Sequence, residues 1–302
     1  MTKVNSHESL DDSSTVTAEQ LSVVIPCFNE RETIGKTIDG LHKHLPGLEI
    51  IVVDDGSTDA SDREVLTRNG VKLLRHDHNR GQGASLVTGM RCATRPYVLW
   101  YDADGQHSPD MVIQILQDLA KFDCVIAKRT SESLGNQPRR FGRRILQLTA
   151  RVITGVQLGD VNSGLRAFRR EVIAKYMHLI PARFSASTVT TILMIERGYR
   201  VGWVEIDVHP RIGKSSLSPI RDGWHAFVLI VHLAQLFHPM RFFFPVSAGL
   251  ILCGSTYGIV RALIDGRGVP DLAVLLVLTG VQILFFGFMS EQISALRKER
   301  FE

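Results

Sequence analysis

Asp102 and Asp104 stand one residue apart at the end of an apolar run, Tyr97-Val98-Leu99-Trp100-Tyr101, and Gly105 follows them. The run is rich in β-formers and reads as a buried strand that stops at a sheet edge, where the chain leaves the core. Residues i and i+2 of an extended segment point to one side, so both carboxylates face a single ligand. Two close anionic groups repel unless a cation lies beside them, which makes a divalent metal their natural partner. The competing reading is an exposed acidic turn capping the helix that opens near Ser108 and Pro109. A lone D-x-D pair does not choose between the two; the elements around it must.

Those elements alternate. Leu21-Ser22-Val23-Val24-Ile25 reads as a strand stopped by Pro26, and Asn29-Glu30-Arg31-Glu32 opens a helix with Ile34, Ile38, Leu41 and Leu45 on one face. Glu49 to Val53 is a second strand, followed by Asp54-Asp55-Gly56-Ser57-Thr58-Asp59, and Val71 to Leu74 a third, followed by Asn79-Arg80-Gly81-Gln82-Gly83. The run ending in Asp102 and Asp104 is the fourth. A helix with Val112, Ile115, Leu116, Leu119 and Phe122 leads to a fifth at Cys124 to Ala127. Strands alternating with helices predict an α/β fold, a mostly parallel sheet with helices on both faces. Ligands of such sheets bind beyond the carboxyl ends of the strands, where each of these polar clusters falls. Neither G-x-G-x-x-G after the first strand nor G-x-x-x-x-G-K-[ST] occurs, which disfavours a dinucleotide oxidoreductase and a P-loop NTPase.

The chain of 302 residues carries a net charge of +4, too mild for a nucleic-acid partner to be expected. Its four cysteines (Cys27, Cys92, Cys124, Cys253) are scattered and read as buried free thiols. Residues 1–20 are a polar, disordered tail with no apolar leader segment. Residues 242–263 and 272–290 are nearly charge-free, each long enough to cross a bilayer, and joined by the turn-forming Asp265-Gly266-Arg267-Gly268-Val269-Pro270-Asp271. Pro245, Gly249, Gly254 and Gly258 suit a membrane span, and the glycines permit association with a second copy. A buried hairpin of a soluble protein is the rival reading; phenylalanine and leucine on all sides of both helices weigh against it. Basic residues precede the first span, and Arg297-Lys298-Glu299-Arg300 follow the second. The positive-inside rule then puts both termini and the bulk of the chain in the cytoplasm, under a multi-pass anchor in the plasma membrane. The expected division is a tail at 1–20, an α/β domain at 21–217, an amphipathic juxtamembrane helical region at 218–241 with Trp224 as interface anchor, the hairpin at 242–290 and a cytoplasmic tail at 291–302.

Three segments carry a resemblance. Val24-Ile25-Pro26-Cys27-Phe28-Asn29-Glu30, Val53-Asp54-Asp55-Gly56-Ser57-Thr58-Asp59 and Asp102-Ala103-Asp104-Gly105-Gln106-His107 resemble, in order, family-2 glycosyltransferases of GT-A (Rossmann-like) fold. Within that family the chain is most similar to polyprenyl-phosphate glycosyltransferases of the dolichyl-phosphate mannose synthase type. Arg129, Asp160-Val161-Asn162-Ser163-Gly164-Leu165-Arg166-Ala167-Phe168 and Arg211-Ile212-Gly213-Lys214-Ser215 extend the resemblance into the second half. No Q-x-x-R-W motif of processive synthases occurs, which implies transfer of one sugar. The resemblance implies a nucleotide cradle of Pro26, Phe28, Glu30, Val53 and Asp55. It implies donor contacts from Asp102, Ala103, Asp104, Arg129, Arg211 and Lys214, and a Mg²⁺ or Mn²⁺ site at Asp102, Asp104 and Gln106. Gln82 stands where lysine is common, which puts a direct charge contact there in doubt. His107 is expected to support the site rather than bind the ion, and Arg140, Arg143 and Ser163 to meet the acceptor phosphate.

No general base stands out, and a phosphate acceptor needs none: with a second pKa of about 6 it is already nucleophilic at neutral pH. The protein must hold its oxygens behind the anomeric carbon and offset two anionic groups. Arginines suit that task. Residues 137–152 read as a helix with Arg140, Arg144 and Arg151 on one face, either an interfacial stripe toward anionic lipid or a solvated surface. The expectation is a membrane-tethered inverting transferase that moves one sugar, from GDP-mannose or UDP-glucose, to a polyprenyl phosphate on the cytoplasmic leaflet. Transfer to a lipid or saccharide hydroxyl, which would need a general base, and a non-catalytic scaffold are the alternatives.

Overall fold

The computed structural model describes residues 15–129, 163–183, 185–206, 239–266 and 268–299. They fall into a sheet-bearing unit and a helical hairpin.

The sheet unit opens with the strand Leu21–Cys27 (β1), whose apolar residues are wholly buried, and continues into the helix Arg31–His44 (α1). Glu49–Asp54 (β2), the short helix Ser61–Leu66 (α2), Val71–Arg75 (β3) and Gln82–Cys92 (α3) follow. Then come Tyr97–Trp100 (β4), Pro109–Leu119 (α4), Cys124–Arg129 (β5), Arg166–Arg169 (β6), Arg170–Ala174 (α5), Ala186–Glu196 (α6) and Val201–Ile206 (β7). The strands form one sheet in the order β3-β2-β1-β4-β6-β5-β7. β1 is parallel to both neighbours, with Val24 level with Ile51 on one side and Trp100 on the other. β6 alone runs antiparallel, wedged between β4 and β5. The mostly parallel sheet is as the sequence predicts, and the periodic residues Ile34, Ile38, Leu41, Val112, Ile115 and Leu119 are all in the core.

The chain leaves β1 toward β2 and β3, then returns to place β4 on the other side of β1. The carboxyl ends of β1 and β4 therefore flank the point where the strand order reverses. An open α/β sheet offers its crevice there.

Three expectations need correction. β4 ends at Trp100, so Asp102 and Asp104 do not sit on an extended segment and alternation does not aim them. Only the Tyr101 amide still pairs with β1, donating to the Val24 carbonyl at 3.0 Å. The chain then turns at Ala103-Asp104-Gly105, with Gly105 at φ 71° and the Asp104 carboxylate accepting from the Gln106 amide at 3.2 Å. α2 and all the sheet unit's elements after β5 (β6, α5, α6 and β7) were not foreseen, and the cysteines are not uniformly buried: Cys27 and Cys124 are, Cys92 is half-buried and Cys253 is exposed.

The hairpin consists of Pro239–Asp265 (α7) and Asp271–Glu299 (α8), 27 and 29 residues long. At about 1.5 Å per residue each reaches roughly 40 Å, more than the roughly 30 Å hydrocarbon core of a bilayer. Both are long and apolar enough to cross a membrane, and large side chains such as Leu252, Ile259, Phe285 and Phe286 lie exposed on their outer faces. The helices approach through small residues. A Cβ at Gly254 would lie 2.9 Å from Leu276, one at Gly258 3.0 Å from Ala273, and one at Gly280 2.7 Å from Ile251. Gly254 and Gly258, read from the sequence as permitting helix association, lie on the hairpin's own seam. Van der Waals contact at close backbone approach holds such helices where water cannot drive them together.

Candidate active site

The loop after β1 and the loop after β2 are laced into one wall. Asn29, in the left-handed region at φ 55°, accepts from the Thr58 amide at 2.9 Å, and its own amide donates to the Ser57 hydroxyl at 3.0 Å. The Glu30 amide donates to Ser61 Oγ at 3.0 Å, and the Arg31 amide to Asp59 at 3.1 Å. Asp54 accepts from the Ser57 amide at 2.9 Å and pairs with Arg75 at 3.3 Å. Pro26 and Val53 are register partners on β1 and β2, and Phe28 beside them is 44% exposed, an aromatic face open to the crevice wall. Cys27 lies beneath: burial, with Asp54 and Glu30 nearby, pushes its thiol up to about 12, so it stays protonated.

Asp55 faces inward. Its carboxylate meets His76 Nδ1 at 2.7 Å and accepts from the Arg80 and Gly81 amides at 2.9 and 2.8 Å. His76 is itself buried, its Nε2 3.0 Å from the Thr88 hydroxyl. Burial alone would raise the Asp55 carboxyl, but the bonds from His76 and the two amides outweigh it and hold the group below the usual carboxylate range. Asp55 therefore fixes the loop that enters α3. Gly81 at that point has φ 102°, which only glycine adopts without strain. A Cβ at Gly83 would lie 1.9 Å from the Pro181 carbonyl, so the glycine lets α3 dock on residues 181–182.

The carboxylate pair follows β4, on the other side of β1 from β2. Asp102 is partly exposed and Asp104 buried. Gln82, first residue of α3, donates from Nε2 to Asp102 Oδ1 at 2.9 Å, and His107 Nε2 lies 3.9 Å from Oδ2. The Ala103 carbonyl, 3.5 Å from the Thr37 hydroxyl, ties the turn to α1. Burial and then the negative charges of Asp104 and Asp102 raise the Tyr101 phenol, so both carboxylates bear on one buried spot. Among the described residues no group of three or more His, Cys, Asp or Glu could hold a metal. Two carboxylates and the Gln106 amide make an all-oxygen set, short by itself, which fits Mg²⁺ or Mn²⁺ completed by phosphate oxygens and water.

Ser163 is buried, and its carbonyl accepts from Arg166. Arg129 ends β5 level with Ile206 of β7, and its side chain lies outside the described residues. Arg140, Arg143, Arg211 and Lys214, the helix expected at 137–152 and the region at 218–238 lie outside them entirely. Pro26, Phe28 and Glu30 follow one another where β1 ends, Val53 and Asp55 lie buried at the end of β2, and Asp102, Ala103, Asp104 and Gln106 share one turn. His76 was not singled out from the sequence, since a histidine beside a strand carries no periodic signal. Gly164 and Arg166 stood in the 160–168 segment that carries the resemblance. Gly164 was expected with Asp160 and Ser163 on the acceptor side, and the structure places it against Asp102. Gln82, doubted as a charge contact, bonds the Asp102 carboxylate instead.

Residues 22–177, just over half of the chain, match the sequence family described as Glycosyl transferase family 2, and residues 238–296 match the GtrB C-terminal hairpin. An undecaprenyl-phosphate 4-deoxy-4-formamido-L-arabinose transferase of Yersinia pestis is 26% identical over 300 residues, 92% of this chain and 89% of its own. A polyprenol monophosphomannose synthase of Mycolicibacterium smegmatis is 32% identical over 181 residues, 55% of this chain and 68% of its own. The fold is also that of glucosyl-3-phosphoglycerate synthase from Mycobacterium tuberculosis, solved with Mn²⁺, UDP-glucose and phosphoglyceric acid. The TM-score is 0.59 at 20% identity, over 74% of this chain and 80% of that one.

Proposed function

The chain belongs to glycosyl transferase family 2, and from that membership we propose that it moves a single sugar from a nucleotide sugar to a polyprenyl phosphate at the cytoplasmic face of the plasma membrane. Its relatives are polyprenyl-phosphate sugar transferases, and the GtrB hairpin match falls on the two membrane-capable helices. The observation that carries the reading is the Asp102/Asp104 turn at the strand-order switch point, where β1, the neighbouring strand, ends next to the exposed Phe28. The proposed donors are GDP-mannose and UDP-glucose. The mycobacterial relative is a monophosphomannose synthase and the structural neighbour holds UDP-glucose.

In this reading Pro26, Phe28 and Glu30 cradle the nucleotide over the buried Val53, and Asp55 acts from beneath by holding the Arg80 and Gly81 amides in place. Asp102, Asp104 and Gln106 would hold Mg²⁺ or Mn²⁺, which when bound offsets the charge of the departing diphosphate. Arg129, Arg211 and Lys214 add positive charge to the donor diphosphate, while Arg140, Arg143 and Ser163 orient the acceptor phosphate. The acceptor needs no base, since its oxygens are largely deprotonated at neutral pH. Attack from behind the anomeric carbon inverts it. The hairpin keeps the enzyme at the bilayer that holds the acceptor, with both termini cytoplasmic.

The test is transfer of labelled sugar from a panel of GDP- and UDP-sugars to purified polyprenyl phosphate with Mg²⁺ or Mn²⁺, for wild type and Asp104→Ala. One donor should give a lipid-linked product that the variant fails to make. Nucleotide binding with no transfer from any donor to the phosphate would instead favour a hydroxyl acceptor.

A further inference from the structure

Asp102 is gripped from two sides. Gln82 donates to Oδ1 at 2.9 Å. Against the other oxygen lies Gly164, so close that a Cβ there would stand 2.2 Å from Oδ2 and 3.0 Å from Cγ. Only a hydrogen fits.

What holds Gly164 in that seat is a bond between its neighbour Ser163 and Arg166, two residues further on. The carbonyl of Ser163 accepts from Arg166 Nε at 3.1 Å and from one of its terminal nitrogens. The other terminal nitrogen donates into the first turns of α6, to the Ser187 carbonyl and to the hydroxyls of Thr190 and Thr191, each of these at 2.9 Å. The guanidinium lies 5.6 Å from the centre of the Trp100 ring, and Trp100 is both the register partner of Arg166 and the last residue of β4. Arg166 is 0% exposed. Burying a guanidinium costs several kcal/mol of desolvation in order of magnitude, and a planar fork is the one side chain able to tie a loop carbonyl, a helix turn and an aromatic face at once.

We propose that Arg166 is a positioning residue for the metal-binding carboxylate: it fixes the 163–165 segment so that Gly164 seats Asp102 against Gln82 in the orientation that meets a divalent cation. The proposal rests on the metal role assigned to Asp102 and Asp104. A merely structural Arg166, tying α6 to the sheet, would change stability and leave the ion's affinity in the folded protein untouched.

Mn²⁺ affinity separates the two. The full chain in detergent is titrated with Mn²⁺ in excess UDP or GDP, whose phosphate oxygens complete the set. Free ion is followed by electron paramagnetic resonance against a protein-free blank, and unfolding midpoints are recorded metal-free. Gly164→Ala leaves Arg166 and its bonds in place but pushes on Asp102. It should keep a midpoint close to wild type and weaken Mn²⁺ binding by about tenfold or more, the usual cost of disturbing the group that orients a ligand. Arg166→Met should weaken it comparably. If that variant fails to fold, Arg166→Lys, which keeps the charge but cannot fork between Ser163 and α6, takes its place with the same expectation. Asp104→Ala is the control. Loss of Mn²⁺ binding in Asp104→Ala with wild-type affinity in Gly164→Ala and the folded Arg166 variant overturns the positioning role and spares the metal site. Weakening in Gly164→Ala with none in the Arg166 variant removes Arg166 from it. Wild-type affinity in Asp104→Ala brings down the metal site and the proposal together.

Discussion

At the scale of single residues, Asp55 does more than its place in the nucleotide wall requires. Its three inward donors, His76 and the amides of Arg80 and Gly81, bind the end of β2 to the entry of α3. The same bonds hold its folded-state pKa below the unperturbed 3.8. A depressed carboxylate contributes stability that is complete above its unfolded pKa and lost as pH falls through the folded value. The protein should therefore lose this contribution only below about pH 4, and Asp55→Asn should flatten that acid limb in urea unfolding curves recorded from pH 5 downward. Because the asparagine supplies one acceptor oxygen where the carboxylate supplies two, the variant should also bind nucleoside diphosphate more weakly. About tenfold, or 1.4 kcal/mol, is the loss for one charge-assisted bond, read by calorimetry at neutral pH. An unchanged affinity would mean that the 79–81 loop does not shape the nucleotide wall.

At the scale of elements, the hairpin and β6 show two uses of close approach. α7 and α8 meet through glycines, and Gly280 is the tightest of them, its absent Cβ lying 2.7 Å from Ile251 and 2.9 Å from the Ser247 carbonyl. Gly280→Ile should force the helices apart at a cost of about 1–3 kcal/mol, seen as a lower unfolding midpoint of the detergent-solubilised protein. Gly249→Ala, where nothing among the described residues lies within 4 Å, should leave the midpoint unmoved. Equal effects would mean that the seam is not set by these glycines. β6 achieves its approach differently: its four residues are flanked by arginines, and Arg166 enters the core because every direction of its fork meets an acceptor or a ring.

At the scale of the whole molecule, a helical hairpin that crossed a bilayer, as proposed, would bring both its ends to one side. The proposed orientation then leaves residues 266–270 alone on the far side. With the native cysteines replaced, Gly268→Cys should react with a membrane-impermeant maleimide added to intact cells, and Thr17→Cys only after permeabilisation. The reverse pattern would invert the topology and place the proposed acceptor on the opposite leaflet.

The sequence by itself determined the alternation of strands and helices, the two apolar spans and the polar clusters that line the crevice. Each is a local pattern, in which period and turn chemistry act on neighbours along the chain: Val24, Val52 and Leu99 had to be buried, and Pro26 and Gly105 had to end something. Asp102 and Asp104 were legible as a pair for the same reason. Their geometry was not, because β4 stops at Trp100 and the carboxylates are aimed by Gln82, Gly164 and the Asp104 turn rather than by alternation. Only the tertiary structure decided the place of β6, the burial of Arg166 and His76, and the use of the span glycines within the hairpin. Those depend on partners far apart in sequence, such as Arg166 with Thr190 or Gly280 with Ile251, whose energy exists only once the sheet and the helix pair have formed.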